Sequence, residues 1–253
     1  MKPRNRASGL CLLMAMAVVV GVAACAAPMS KASQQEAARL NTQVGIDYAQ
    51  KGQYSAALDR LQKALGQDES YAGAHGAIAY VYQALATPAK AERHYRRALA
   101  LDGDDASLKN NFGVFLCSQG RIDEAQRYFI EAAGTRQYAT PAAAWTNAGF
   151  CLRDRDPTKA EQYFREALRI DPQSAEALTQ MAILSFKAQN FMGARAFLER
   201  YDLLARATPE LLYIAYRTEA ALGDAAAAQR YAVRLINEFP QSTEAASINR
   251  QSP

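Results

Sequence analysis

From residue 38 onward, small and large apolar residues return at an interval of about 34 positions. In a frame that starts at Ala38, a small residue stands eighth, Ala twentieth, a large apolar residue twenty-fourth and Ala twenty-seventh: Gly45, Ala57, Leu61 and Ala64. The frame at Ala72 repeats them as Ala79, Ala91, Tyr95 and Ala98, and the frame at Ala106 as Gly113, Ala125, Phe129 and Ala132. After a slip of one residue, the frame at Pro141 gives Ala148, Ala160, Phe164 and Ala167. The frame at Ala175 gives Ala182, Ala194 and Leu198, with Tyr201 in the last slot, and the frame at Pro209 gives Ala228, Ala232 and Leu235. Apolar spacing of three and four within each frame predicts two helices. Gly52 and Gly120 fall where a first helix should end in a left-handed cap. Asp156-Pro157 and Asn190-Phe191 occupy the equivalent joints.

The pattern has a steric reason. Small residues at positions 8 and 20 let the two helices of a hairpin cross closely. The large residue at 24 fills the space between hairpins, and Ala at 27 gives the next helix a flat surface. One hairpin cannot bury its apolar face alone, so neighbours must stack. The expected fold is all-α: a right-handed superhelical solenoid of about six tetratricopeptide helix-turn-helix repeats over 38–242 (38–71, 72–105, 106–139, 141–174, 175–208 and 209–242). In such an array, first-helix positions 2, 5, 9, 12 and 13 line the concave face. Those positions nominate Ile46, Tyr80, Asn110, Val114, Trp145 and Phe186 as a protein-binding groove. The trough they predict is mixed and partly apolar, suited to a peptide. Each of these apolar residues has packing against the next hairpin as its competing role.

The N-terminal part has a different pattern. Lys2, Arg4 and Arg6 precede an apolar run from Leu10 to Ala24, too short for a membrane span. The run ends in Val22-Ala23-Ala24-Cys25, which resembles a bacterial lipobox. Residues 1–24 are therefore expected to be a signal peptide, Cys25 the lipidated residue, 25–37 a flexible tether and 243–253 a C-terminal tail. Ala26, not Asp, follows the cysteine. That fits passage to the outer membrane, with the body facing the periplasm.

Charge and chemistry narrow the function. The net charge of +4 falls to about +1 once Lys2, Arg4 and Arg6 leave with the signal. A nearly neutral body makes no electrostatic case for nucleic acid. The two histidines, His75 and His94, sit on different predicted helices with no zinc-ligand spacing, and His94 falls on an outward-facing position. No phosphate-binding loop is present, so no cofactor, metal, catalytic group or small-molecule substrate is expected. Of four cysteines, Cys11 goes with the signal and Cys25 takes lipid. Cys117 and Cys151 remain, on consecutive first helices. They are either bridged or two buried free thiols, and an oxidising compartment favours the disulfide.

Two strings carry a resemblance. Asn110-Asn111-Phe112-Gly113-Val114-Phe115-Leu116-Cys117 is one. Tyr138-Ala139-Thr140-Pro141, followed by Trp145-Thr146-Asn147-Ala148-Gly149-Phe150-Cys151, is the other. With the lipobox and the repeat count, they resemble the PilF/PilW lipoproteins of type IV pilus biogenesis. The resemblance implies a pilotin: an outer-membrane lipoprotein that binds the secretin subunit and promotes its localisation and multimerisation. It places a secretin contact on the first units, near Ile46, Tyr48 and Tyr80. A general periplasmic tetratricopeptide adaptor for outer-membrane or cell-wall assembly is the alternative.

Overall fold

The computed structural model describes residues 30–205 and 207–249, and no strand occurs among the described residues. The segment expected to be a signal peptide, and Cys25, lie outside the described residues. Six hairpins run in chain order. They are α1 (Lys31–Gln50) with α2 (Tyr54–Gln67), α3 (Ala72–Ala84) with α4 (Pro88–Leu101), and α5 (Ala106–Ser118) with α6 (Ile122–Gly134). Then come α7 (Pro141–Leu152) with α8 (Pro157–Ile170), α9 (Ala175–Lys187) with α10 (Phe191–Asp202), and α11 (Pro209–Ala221) with α12 (Ala225–Glu238). A short α13 (Thr243–Asn249) follows.

Local chemistry sets the helix ends. The Asp105 carboxylate accepts from the N–H groups of Ser107 and Leu108. Asp156, Ser174, Asn190, Thr208 and Asp224 each satisfy one free N–H in the same way. Pro88, Pro141, Pro157 and Pro209 open helices where no N–H is required. Gly52 and Gly120 close α1 and α5 at φ of 71° and 73°, a conformation that side chains resist.

Both ends of the array correct the sequence reading. Ser30 caps α1, which starts at Lys31. The tether expected over 25–37 therefore stops at Ser30, because the good helix formers of Lys31 to Ala37 add about two turns to the first helix. The expected tail at 243–253 contains α13, whose Ala245 and Ile248 are buried. That helix packs on α11 and α12 and closes the last hairpin.

Inside the hairpins the small-against-large crossing is real. A Cβ on Gly45 would lie 2.6 Å from Leu61 Cγ, and one on Gly113 would lie 2.7 Å from the Phe129 ring. Both pairs match position 8 with position 24. In the fourth hairpin the partner of Phe164 is Gly149, where a Cβ would lie 2.6 Å from the ring. It is not Ala148. The buried set Leu108, Asn110, Phe112, Gly113, Phe115 and Leu116 of α5 recurs in α7 at an offset of 36, as Ala144, Thr146, Ala148, Gly149, Cys151 and Leu152. The second helices keep an offset of 35, with Ala125, Phe129 and Ala132 matching Ala160, Phe164 and Ala167. The slip thus belongs to the α6–α7 link and is partly taken back at the α7–α8 turn.

Stacking makes the array curl. The backbones of successive first helices approach closely all along the chain, from α1–α3 to α9–α11, while among the described residues no second helix brings its backbone as near to the next second helix; α10 and α12 are bridged only by side chains, Arg234 donating to Asp202 at 2.6 Å. The first helices are therefore the inner side of the curve. The joints between hairpins combine apolar contacts, such as Leu108 against Gly76, with polar ties, such as Arg121 to Glu92 at 2.7 Å. The fifth and sixth hairpins add an ion pair, in which the Arg195 guanidinium donates to both oxygens of buried Glu219.

His94 does not face outward. Its Nδ1 lies 3.1 Å from Nδ1 of His75, and its ring stands 5.7 Å from that of Tyr82. His75 Nε2 is 3.2 Å from the Glu69 carbonyl. Burial pushes both imidazoles below their ordinary range, His94 to about 4, with the charge on His75 as its next cause.

Two outcomes follow. Gly113→Val should lower stability by about 1–3 kcal/mol in urea unfolding, since the wedge of Phe129 cannot retreat; an unmoved midpoint would contradict the crossing. His94 binds its proton more readily unfolded than folded, so its contribution to stability is complete above about 6.5 and is lost as pH falls toward about 4. Glu92 and Glu124 are held below the ordinary carboxylate value of 4.5 by Arg121, so their losses come lower on the pH scale. Thermal melts between pH 7 and 4.5 should show a smaller decline for His94→Gln than for the unaltered protein.

Candidate protein-binding trough

Because the first helices form the inner side, their outward positions meet in one trough. Two hollows follow one another along it. The first, of ≈ 420 Å³, lies among α1, α3 and α5, with Ile46, Gly76, Tyr80 and Asn111 in its lining. The second, of ≈ 600 Å³, lies among α5, α7 and α9, with Val114, Asn147, Phe150 and Gln180 in its lining. Asn111 and Val114 are one turn apart on α5, so the hollows are neighbours across that helix. Gly76 helps to open the first hollow: a Cβ there would collide with Leu108, and without one the floor lies at backbone level.

In the corrected register, position 9 is occupied by Ile46, Tyr80, Val114 and Phe150 on successive first helices. They form an apolar row, and the last three are 48%, 37% and 51% exposed. Position 6 carries Asn111, Asn147 and Gln180. The two rows run side by side across α5 and α7.

Of the residues nominated from sequence, Ile46, Tyr80 and Val114 line the hollows. Three do not. Asn110 is buried, and its Oδ1 accepts from Asn147 Nδ2 at 3.0 Å, a strut between α5 and α7. Trp145 turns toward its own hairpin and packs on Tyr163 of α8, ring centroids 5.3 Å apart. Its misplacement comes from the fourth frame, which started one residue early for α7. Phe186 is half-buried and meets Phe191 edge-on at 5.8 Å, across the α9–α10 turn. The residue missed was Phe150. Its signal was present: Asn111-Phe112-Gly113 and Asn147-Ala148-Gly149 share an Asn-x-Gly spacing, and aligning them sets Phe150 opposite Val114.

Other groups shape the second hollow. The Arg153 guanidinium lies 4.3 Å from the Phe150 ring centroid and donates to Gln180 Oε1 at 3.0 Å. Cys117 is in the wall, and its sulfur is joined to that of Cys151, with Cα atoms 5.8 Å apart. In the corrected register the two cysteines stand at positions 12 and 10. Among the described residues, no group of three or more His, Cys, Asp or Glu gathers as a metal site, and no described helix is long and apolar enough to cross a membrane.

Comparison with known proteins extends over the whole array. Family models described as tetratricopeptide repeat match residues 106–137 and 152–215. The chain is 33% identical over 215 residues to the type IV pilus assembly protein PilF of Pseudomonas aeruginosa, covering 83% of this chain and 84% of that one. An uncharacterised protein of Haemophilus influenzae is 31% identical over 153 residues, 60% of this chain and 86% of its own length. The solved structure of Pseudomonas aeruginosa PilF superposes with a TM-score of 0.78 at 30% identity, covering 87% of this chain and 99% of that one. PilW, described as a widely conserved type IV pilus biogenesis factor, superposes with a TM-score of 0.75 at 29% identity, over 83% and 97%.

Proposed function

The chain belongs to the PilF family of type IV pilus assembly proteins, and on that premise we propose that it is a pilotin. In this reading it is a lipid-anchored, non-catalytic scaffold that binds the secretin subunit of the pilus machinery. It brings the subunit to the outer membrane from the periplasmic side and promotes its multimerisation. The observation that carries the proposal is likeness to PilF along nearly the whole length of that protein, not over one repeat.

Cys25 would carry the anchor. Four residues separate it from the cap of α1, Ser30, a reach of about 17 Å over the five steps when extended. So short a tether would hold the first hairpin close to the bilayer. Confining a binding scaffold there raises the effective concentration of secretin subunits where the ring must form. The first hollow, with Ile46 and Tyr80, would supply the secretin contact.

Cys117 and Cys151 would be oxidised in the exported protein. The sequence separation of 34 sets the loop that the bridge closes. For that length the chain-entropy contribution is about 3–4 kcal/mol.

Three experiments test this reading. Cys25→Ala should release the protein from the membrane and lower heat-resistant secretin multimers several-fold; undiminished multimers at equal protein level would defeat the pilotin reading and favour a general periplasmic adaptor. Under denaturing conditions without reductant, a thiol-reactive maleimide should leave Cys117 and Cys151 of the exported protein unlabelled. Cys117→Ser should lower stability by about 3–4 kcal/mol. Full labelling of both would show the thiols to be free.

A further inference from the structure

We propose that the convex face of the first two hairpins lies on a bilayer of anionic phospholipid, so that the trough opens away from the membrane. The choice of a bilayer as occupant rests on the anchor proposed at Cys25; the charged face itself does not.

Three observations carry it. The first is where the charge lies. The second helices form the outer side of the curve. Among them α2 and α4 carry Arg60, Lys63, Lys90, Arg93, Arg96 and Arg97 against Asp59 and Glu92, an excess of four cations. The remaining four, α6, α8, α10 and α12, carry eight cations and eight acids, with no excess. A chain whose net charge beyond Cys25 is only about +1 thus concentrates its positive field at one end. At about 100° per residue, the four cations of α4 fall on the side opposite its buried Ala91, Tyr95 and Ala98, and all four are exposed.

The second is pairing. On α8, Arg165 and Arg169 are held by Glu161 and Glu166 of their own helix at 2.7 and 2.9 Å. On α4 only Arg96 has such a partner, Glu92, and Arg121 shares it. The side chains of Arg60, Lys63, Arg93 and Arg97 make no ion pair or hydrogen bond among the described residues. Arg93 and Arg97 stand one turn apart, a like-charge pair that costs the helix stability. These groups can meet phosphate without first breaking a bond. Asp68, Glu69, Asp102 and Asp104 belong to the links beyond the ends of α2 and α4, not to this face.

The third is proximity. Four residues lie between Cys25 and Ser30, so an acyl chain there would keep these two hairpins next to the headgroups. An anionic leaflet attracts each nearby Lys or Arg, roughly fivefold in partition per residue, within a Debye length of about 8 Å. An acyl anchor combined with a basic patch is a pairing that gives stable attachment. With the convex face down, the first helices and both hollows point away from the bilayer.

Cosedimentation of the Cys25→Ala protein, which has no acyl chain, with phospholipid vesicles tests the inference. It should bind vesicles containing about one third phosphatidylglycerol at low salt, detach at about 0.5 M salt, and leave pure phosphatidylcholine vesicles unbound. Arg93→Gln with Arg97→Gln should weaken the partition about thirtyfold, the effect of two lost charges. Arg127→Gln with Arg230→Gln removes the same net charge from exposed, unpaired residues elsewhere on the second helices. That pair should change the partition by less than about threefold. Thermal melting of the α4 variant should not fall, since the like-charge repulsion is relieved. Equal weakening by the two pairs, binding to neutral vesicles, no binding, or preferential capture by a soluble polyanion, inorganic polyphosphate, would each overturn the inference. The multimer assay reads secretin and this one reads lipid without an anchor, so either can fail while the other holds.

Discussion

Where Gly113 of α5 meets Phe129 of α6, the backbone of one helix lies against the ring of the other, with no room for a methyl group. The same contact holds Gly45 on Leu61 and Gly149 on Phe164. Everything larger depends on it. A close crossing fixes the angle within a hairpin and sends the large side chain on between neighbours. The next hairpin must then approach from the first-helix side. Curvature results, because the backbones of successive first helices approach closely and those of successive second helices do not. The trough is the inner surface of that curve, so its width and its rows of side chains are consequences of residues that never face a ligand.

The joints between hairpins differ in chemistry along the array. Between the second and third hairpins, Leu108 packs on Gly76 and Arg121 pairs with Glu92 at 2.7 Å. At the middle, α5 and α7 are tied by the Asn110–Asn147 hydrogen bond and by the joined cysteines. Toward the end the Arg195–Glu219 pair takes over. A solenoid whose hairpins meet only their neighbours has no central core to absorb a weak joint. Polar and covalent ties at individual joints are one way to offset locally poorer packing, and the middle ties border the second hollow. They hold Val114 and Phe150 at a set distance across the gap between α5 and α7.

The hairpin array was legible in the sequence because a steric contact leaves a rigid signature. Only Gly or Ala fits the crossing, and the residue that fills it recurs at a constant distance. Helix caps were legible for the same reason, since Asp156-Pro157 and Asn190-Phe191 act within a few residues. What was missed lies where periodicity is silent. The extra turns of α1 carry no apolar stripe, only residues that favour helix. His75 and His94 are 19 positions apart and meet across a hairpin, where no spacing rule applies. The site was half legible. Ile46, Tyr80 and Val114 came from position alone, but Phe150 was lost to Trp145 when a single offset was applied to both helices of the fourth unit. The two helices carry offsets of 36 and 35, and only the Asn-x-Gly pair records the difference.

The ends of the array show how far packing demands can be relaxed. Positions 3 and 7 of a first helix face the preceding hairpin, and Leu108, Phe112, Leu211 and Ala215 are buried there. The first hairpin has no described predecessor, and Leu40 and Val44 in those slots are 51% and 39% exposed. Full burial of such side chains is worth about 1.5–3 kcal/mol each, so half-exposure costs only a fraction of that. At the other end the open surface belongs to a whole hairpin, and seven residues of α13 cover it with Ala245 and Ile248. Asp47 stands at position 10 of the first helix, where the later units carry Val81, Phe115 and Cys151, all buried. The first described hairpin thus presents one polar residue and two partly exposed aliphatic residues in these slots, while the last hairpin is covered by an added helix.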